Sequence, residues 1–341
     1  MSRPTIAPRR WTPPKQHRGV SDPGQVAAGL PPVRVVELPA HGAEDVLVDD
    51  AGRVLTGTED GRLLRVSGDG GVVELIGSTG GRPLGLEFAP DGSLIVCDAH
   101  RGLLRVDLRA GDPASVEVLV DQVDGRPLRF CNNAAVCCDG TVYFTDSSRD
   151  LGIDHWKAEL LAHSRTGRLL RRTPSGEVEV VLDGLAFANG VALATDESFV
   201  AVAETGGYAV QRLWLTGDRA GEQDHLVQNL PGFPDNISTG SDGLIWVSIA
   251  SPRDRVLDLL LPLPPVLRRI VWALPAWLHP KPKRIVRVQA YDETGALVHD
   301  LSGQHDDFHM VTGVREHHGQ VWVGSLHEPK VAVIGPLHPG A

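Results

Sequence analysis

The sequence predicts an all-β fold, a six-bladed β-propeller with a small helical lid insertion, on three observations. First, 38 Gly and 25 Pro in 341 residues break helices throughout, yet hydrophobic residues make up 42%, enough for a sizeable core. Second, one unit recurs six times: an apolar strand, a tight turn carrying Asp-Gly or a relative, a second apolar strand and then a third. Third, the turns fall about 40 to 56 residues apart except at one insertion, which is a blade-sized period.

The first unit runs from Asp45 through the turn at Gly52 to a strand that begins near Gly61. The second turns at Gly92 and its third strand covers 102–107. The third turns at Gly140 and the fourth at Asp196, with third strands near 167–171 and 210–215. The fifth turns at Gly243, but its third strand is delayed to 284–288; the sixth turns at Gly319 and continues at 330–334. The early apolar run 33–38 has no unit of its own, so it is expected to pair with the last blade and close the ring. Closure removes two sheet edges that would otherwise template aggregation. The propeller is thus expected over 33–338, behind a flexible Pro/Arg-rich N-terminal tail at 1–32.

The delay in the fifth unit is the insertion 252–283. Apolar residues recur there at helical spacing around Arg268 and Arg269, which predicts a short helical lid over one propeller face. The competing reading is an interfacial helix pair that touches a membrane surface through 256–278. Pro262, Pro264, Pro265 and Pro275 interrupt the stretch, so it makes no transmembrane helix. A second insertion, 151–165, reads as helical and polar.

A formal net charge of −10 excludes a duplex-binding surface, and no nucleic-acid partner is expected. Cys97, Cys131, Cys137 and Cys138 show neither zinc spacing nor a bridge pattern and are expected as buried, reduced thiols. Together with the lack of an apolar signal-peptide core near the N terminus, this predicts a cytoplasmic protein, with peripheral membrane contact as the alternative. The oligomeric state is left open.

In a propeller the innermost strands start around a central channel, so residues just before them face one cavity. At that place stand Glu44, Asn132, Asn189 and Asp235, the last followed by Asn236. Each offers a hard oxygen donor, which suits Ca²⁺, a cation that takes about 6–8 oxygens. Mg²⁺, Mn²⁺ or Zn²⁺ are the alternatives, zinc being disfavoured by a set without Cys or His. Taken singly, Asn189-Gly190 is a turn signal and Asp235-Asn236 a turn or cap. The argument rests on four such residues in one register of four repeats.

Several longer motifs carry a resemblance. Residues 81–86, 97–103, 143–148, 187–190 and 230–237 resemble the strictosidine synthase-like branch of six-bladed propellers, related to the gluconolactonase (senescence marker protein) and paraoxonase families. The resemblance implies that Glu44, Asn132, Asn189 and Asp235 match the divalent-metal ligands of the lactonases, and Asn236 a calcium ligand of the paraoxonases. It also places His100 near a paraoxonase histidine regarded as a base; an exposed loop histidine is the plainer reading. Asn132-Asn133 departs from the paraoxonase-like Asn-Asp, which weakens a second calcium near Asp45. Thr312 stands where strictosidine synthase carries its catalytic glutamate, which argues against alkaloid condensation.

The expectation is therefore a calcium-dependent hydrolase of lactones or aryl esters, with a small-molecule substrate. The metal would polarise the carbonyl, and His100 or Asp235 would take the proton from attacking water. No Gly-x-Ser-x-Gly elbow is present for a serine nucleophile. His305, His309 and His327 in the last blade are further candidates. The alternatives are a condensing or isomerising enzyme in the same pocket and a binding propeller that a metal only rigidifies.

Overall fold

Strands that are apolar on both faces must lie between two other sheets. In Phe199–Glu204, the residues Phe199, Ala201 and Ala203 pack toward the following sheet, while Val200 and Val202 pack toward the preceding one. Six sheets around an axis satisfy this for every face. The computed structural model, which describes residues 3–16, 28–108, 114–278 and 282–337, has that arrangement: six antiparallel blades of four strands, the fifth extended by a short parallel strand, Ala28–Gly29. One apolar cluster fills each of the six blade interfaces.

The innermost strands of blades 1 to 6 are Leu47–Val48, Pro83–Phe88, Cys131–Val136, Ala188–Leu193, Gly232–Thr239 and Val311–His317. Their hairpins turn where the repeat predicts. Five of the turns place a glycine at positive φ, and in blade 4, which has no glycine there, Glu197 adopts φ 56°. The strand Val33–Glu37 pairs antiparallel with Lys330–Ile334 and closes the ring, Val33 lying opposite Ile334.

Two helical insertions stand on one face. Helix α1, Trp156–Ala162, leaves blade 3; α2, Arg255–Leu260, and α3, Pro265–Ala273, leave blade 5. Asp254 caps α2 by accepting the N–H groups of Val256 and Leu257. The first insertion is amphipathic rather than polar: Ala158, Glu159 and Ala162 are buried. It is also the insertion next to the channel mouth, because Ile153, Trp156 and Leu160 pack on Leu84 of an inner strand and on Phe130 and Phe187, which directly precede two others. Of the blade 5 helices, α3 lies on α1, with Arg268 donating to the carbonyls of Leu161 and Ala162. The lid therefore covers the channel at one remove.

The N-terminal segment differs from expectation. Residues 3–16 are laid across the insertions instead of hanging free. Ile6 is buried with Leu151, Ala158 and Ala162, and Trp11 stacks on His163 with ring centroids 4.5 Å apart. Trp272 Nε1 donates to the Pro4 carbonyl at 2.8 Å, and Arg268 to the Arg9 carbonyl at 2.6 Å. Apolar side chains and unpaired strap carbonyls thus find partners that a sequence reading of Pro and Arg does not reveal. The remainder of the expected tail, 1–2 and 17–27, and residues 279–281 of the lid lie outside the described residues. Among the cysteines, Cys97, Cys131 and Cys137 are buried, whereas Cys138 is exposed beside Glu197 because it sits at the rim of a hairpin turn.

Candidate metal centre

The predicted residues do lie in one register, but within the strands rather than before them. In blades 2 to 6 the pairing of the first two strands slips at the same place: between Pro83 and Leu86, Cys131 and Ala134, Ala188 and Val191, Pro234 and Ile237, and Val311 and Val314. The two residues inside each slip are Leu84-Gly85, Asn132-Asn133, Asn189-Gly190, Asp235-Asn236 and Thr312-Gly313. In blade 1 the matching pair, Glu44-Asp45, precedes Leu47–Val48 and follows the bridge of Ala43 to Ser325. A bulge frees two residues from the ladder and re-aims them, here toward the axis. The sequence reading found four of the six positions. Leu84 and Thr312 complete the ring: the shared slip alone identifies Leu84, and it puts Thr312, singled out above by resemblance, in the same register.

The second members of the pairs lock the blades to each other. The Asp45 carboxylate accepts the Leu86 N–H at 3.0 Å and the Asn133 amide at 3.2 Å, and the Asn133 oxygen accepts the Val191 N–H at 2.9 Å. Glycines stand between them at Gly85, Gly190 and Gly313. A Cβ on Gly190 would lie 2.5 Å from the Asn236 Cα, and one on Gly313 would lie 2.7 Å from the Asp45 Cα. Carbonyls released by the bulges are taken by hydroxyls: Thr56 donates to Asp45, Thr145 to Asn189, Ser248 to Thr312, and Thr312 itself to Glu44 at 2.7 Å.

The first members, together with Asn236 from the second, form the candidate site. Asn236 Nδ2 donates to Glu44 Oε2 at 2.9 Å, and Asn189 Nδ2 donates to Thr205 Oγ1 at 3.1 Å. Asn132 Nδ2 is held by Ser147 Oγ at 3.0 Å. With the amide nitrogens fixed in this way, the carboxamide oxygens of Asn132, Asn189 and Asn236 are buried and accept no hydrogen bond. Buried oxygens left without a donor are costly, about 1–3 kcal/mol each, unless a cation or an ordered water meets them.

The charges point the same way. Burial, then the neighbouring Asp235 and Asp45 carboxylates, push Glu44 well above the usual carboxylate range. Burial raises Asp235 to about 7, against the hydrogen bond from Asn189. Asp45 is raised by burial to about 6, with Arg315 opposing. Two carboxylates in one water-poor ring repel, and a divalent cation relieves both the repulsion and the burial penalty. No group of three or more His, Cys, Asp or Glu suited to a metal occurs among the described residues. The donor set here is two carboxylates and three carboxamides, which fits a hard, oxygen-preferring ion.

Two residues before each ring position lies a rim: Gly42, Arg82, Phe130, Phe187, Phe233 and Met310. Phe130 and Phe187 have ring centroids 5.4 Å apart. Phe187 and Met310 adopt φ 65° and 54°, a conformation bulky residues rarely take. The buried Arg82 guanidinium lies over Gly42, where a Cβ would come within 2.5 Å of Nη1, and its nearest carboxylate is Glu59 at 3.8 Å. Deeper in the channel, three residues past the ring, Arg315 pairs with Glu87 at 3.0 Å. That guanidinium lies close enough to Asp45 to oppose the burial effect on its carboxyl.

The histidines divide. His100 occupies the exposed turn after Asp98, whose Oδ1 fixes the His100 N–H at 2.9 Å. His305 is exposed. His309 is half-buried and paired with Glu328, and its carbonyl accepts Ser325 Oγ beside the bridge to Ala43. His327 lies against His309, ring centroids 6.0 Å apart, and burial lowers its pKa.

Residues 132–218 match the strictosidine synthase family and residues 29–66 the strictosidine synthase-like N-terminal family. The chain is 33% identical over 324 residues to the adipocyte plasma membrane-associated protein of Rattus norvegicus, covering 87% of this chain and 84% of the relative. It is 32% identical over 354 residues to the strictosidine synthase-like 10 protein of Arabidopsis thaliana, covering 92% of each. Among solved structures, a gluconolactonase from Xanthomonas campestris matches with a TM-score of 0.64 at 16% identity, over 97% of this chain and 98% of that one. A calcium-binding regucalcin from Agrobacterium tumefaciens matches with a TM-score of 0.63 at 12% identity, over 91% and 96%. At those identities the solved structures bear on the fold alone. The relatives bear on descent, and this chain belongs to the strictosidine synthase-like family of six-bladed β-propellers.

Proposed function

We propose that the protein is a divalent-metal-dependent hydrolase of lactones or aryl esters, with Ca²⁺ as the metal. The observation that carries the reading is the set of three buried carboxamide oxygens without donors, in register with two carboxylates that burial disfavours as anions. Glu44, Asn132, Asn189, Asp235 and Asn236 would hold the ion. The gluconolactonase and regucalcin neighbours support the reading through what those proteins are described to do. When bound, a divalent cation supplies a Lewis acid for a substrate carbonyl.

The chain's own groups do the rest. Asp235, half-buried at the ring, is the first proposed acceptor of the proton from attacking water. His100 is the second proposed proton acceptor, on the same face and next to Ala99, which packs with Leu84, Phe130 and Phe187. Those side chains, roofed by Trp156 and Ile153 of the first insertion, exclude water and favour an apolar acyl or aryl group. Thr312 commits its hydroxyl to the Glu44 carbonyl, so blade 6 puts no acid or base in the ring, which counts against a condensing reaction there.

The test is an assay of metal-stripped and calcium-loaded protein on a panel of lactones and phenyl esters, with Asp235→Ala alongside. Turnover that requires metal and drops about a hundredfold or more in the variant is expected. Turnover that survives both treatments refutes the proposal. A calcium-dependent rise in melting temperature without turnover on any ester favours the metal-rigidified binding propeller instead.

A further inference from the structure

The blade 5 insertion is built inside out for a helix facing water. Helix α3 turns Arg268 inward, fully buried against the carbonyls of Leu161, Ala162 and Arg9, and sets Val266, Leu267 and Ile270 outward. Nine of the fifteen exposed large hydrophobic side chains among the described residues fall within 256–278. Val256, Leu259, Leu263, Val266, Ile270 and Trp277 follow one another three to seven residues apart, and Leu259 and Trp277 are 70% and 77% exposed. Isolated exposed apolar residues need no explanation, but a contiguous run at the outer surface of an insertion does.

The charge around this face is opposite to that of the molecule. The described residues of 3–16 and 252–284 together hold ten Lys and Arg, of which Arg253 and Arg268 are buried, and two Asp, in a chain of net charge −10. Both aspartates are engaged: Asp254 caps α2, and Asp258 accepts the Tyr208 hydroxyl at 2.8 Å. Arg3 donates to the carbonyls of Trp272 and Leu274, so the basic strap is fastened at the edge of the apolar face. Arg9, Arg10, Lys15, Arg255 and Arg269 are exposed.

We infer that this face docks on an anionic lipid bilayer surface, with the aliphatic and tryptophan side chains in the headgroup boundary and the basic fringe over acidic headgroups. Charge complementarity selects this occupant: a second copy would bring one basic fringe against another, whereas acidic lipid attracts both segments. No helix among the described residues is long and apolar enough to cross a membrane, so the contact is interfacial.

Full-length protein is sedimented with phosphatidylcholine vesicles and with vesicles that also contain phosphatidylserine, at low and high salt. Binding to the phosphatidylserine vesicles, weakened by salt, is expected; each cation removed among Arg9, Arg10 and Lys15 by mutation to Gln lowers it about fivefold at low salt. An Ile270→Asp, Trp277→Ser double variant, both sites being exposed, is expected to keep its melting temperature and lose sedimentation. Absence of binding to either vesicle, or binding untouched by the double variant, overturns the inference. Concentration-dependent dimers in light scattering that Ile270→Asp abolishes also overturn it, by assigning the face to a second copy.

Discussion

At the residue scale, the two ends of the pKa range make separate predictions. His163 is buried under Trp11, and burial pushes its imidazole down to about 3 from an ordinary value near 6.5. The unfolded chain then binds more protons than the folded one between those values. The stability contributed by a neutral His163 is complete above pH of about 6.5 and is lost as pH falls toward about 3. His163→Phe is expected to flatten that part of a stability-versus-pH curve measured by denaturant unfolding. Asp235 has the opposite sign. Its folded value of about 7 lies above the ordinary value, so in metal-free protein its effect opposes folding increasingly as pH rises through about 7. Calcium at about a hundred times its Kd stabilises by about 2.7 kcal/mol. Because protons compete for the same carboxylates, the calcium-induced rise in melting temperature is expected to be larger near pH 8 than near pH 5. Equal rises at both would show that neither carboxylate binds the ion.

Elements decide where those residues point. Each bulge shifts one pair out of the ladder, and a glycine in every second blade lets the neighbouring bulge approach. Gly190→Ala would drive a Cβ into Asn236 and the Ile237 N–H, so a loss of about 1–3 kcal/mol is expected by thermal or denaturant unfolding. The same variant is expected to weaken calcium binding, since Asn236 carries one of the unpartnered oxygens. Substitution of a turn glycine such as Gly52, where a Cβ meets nothing within 4 Å, tests only its positive φ and leaves calcium binding unchanged. A Gly190→Ala protein with native stability would show that the tight packing at this register is not required.

For the whole molecule, closure is the feature with the largest consequence. Val33–Glu37 is the outer strand of blade 6, and Val36 packs with Val331 and Val333. A chain begun after residue 38 leaves Lys330–Ile334 as an uncovered edge. It is expected to aggregate or lose its cooperative transition, read by size-exclusion chromatography and calorimetry. Removal of residues 3–16 instead exposes α1 and the lid while leaving all six blades paired, so a cooperative transition at lower temperature is expected.

The repeat was legible because hairpin turns have a local chemistry: Asp-Gly and its relatives mark six turns without help from the rest of the chain. Blade number, ring closure, the position of both insertions and four of the six ring residues follow from that spacing. Leu84 was not legible as a ring member, since it is no donor of the type sought, and Thr312 was legible only as the replacement of a glutamate; the shared register slip sets both in the ring. The strap was misread for a similar reason. Its prolines and arginines describe an extended chain, but Ile6, Trp11 and the carbonyls that hold Arg268 are fixed by surfaces far away in sequence. Local backbone preference and period were thus determined by the sequence itself. Which oxygens lie unpartnered, which carboxylates are forced together and which face of the lid looks outward were decided by tertiary structure, because burial and charge proximity depend on residues brought together from different blades.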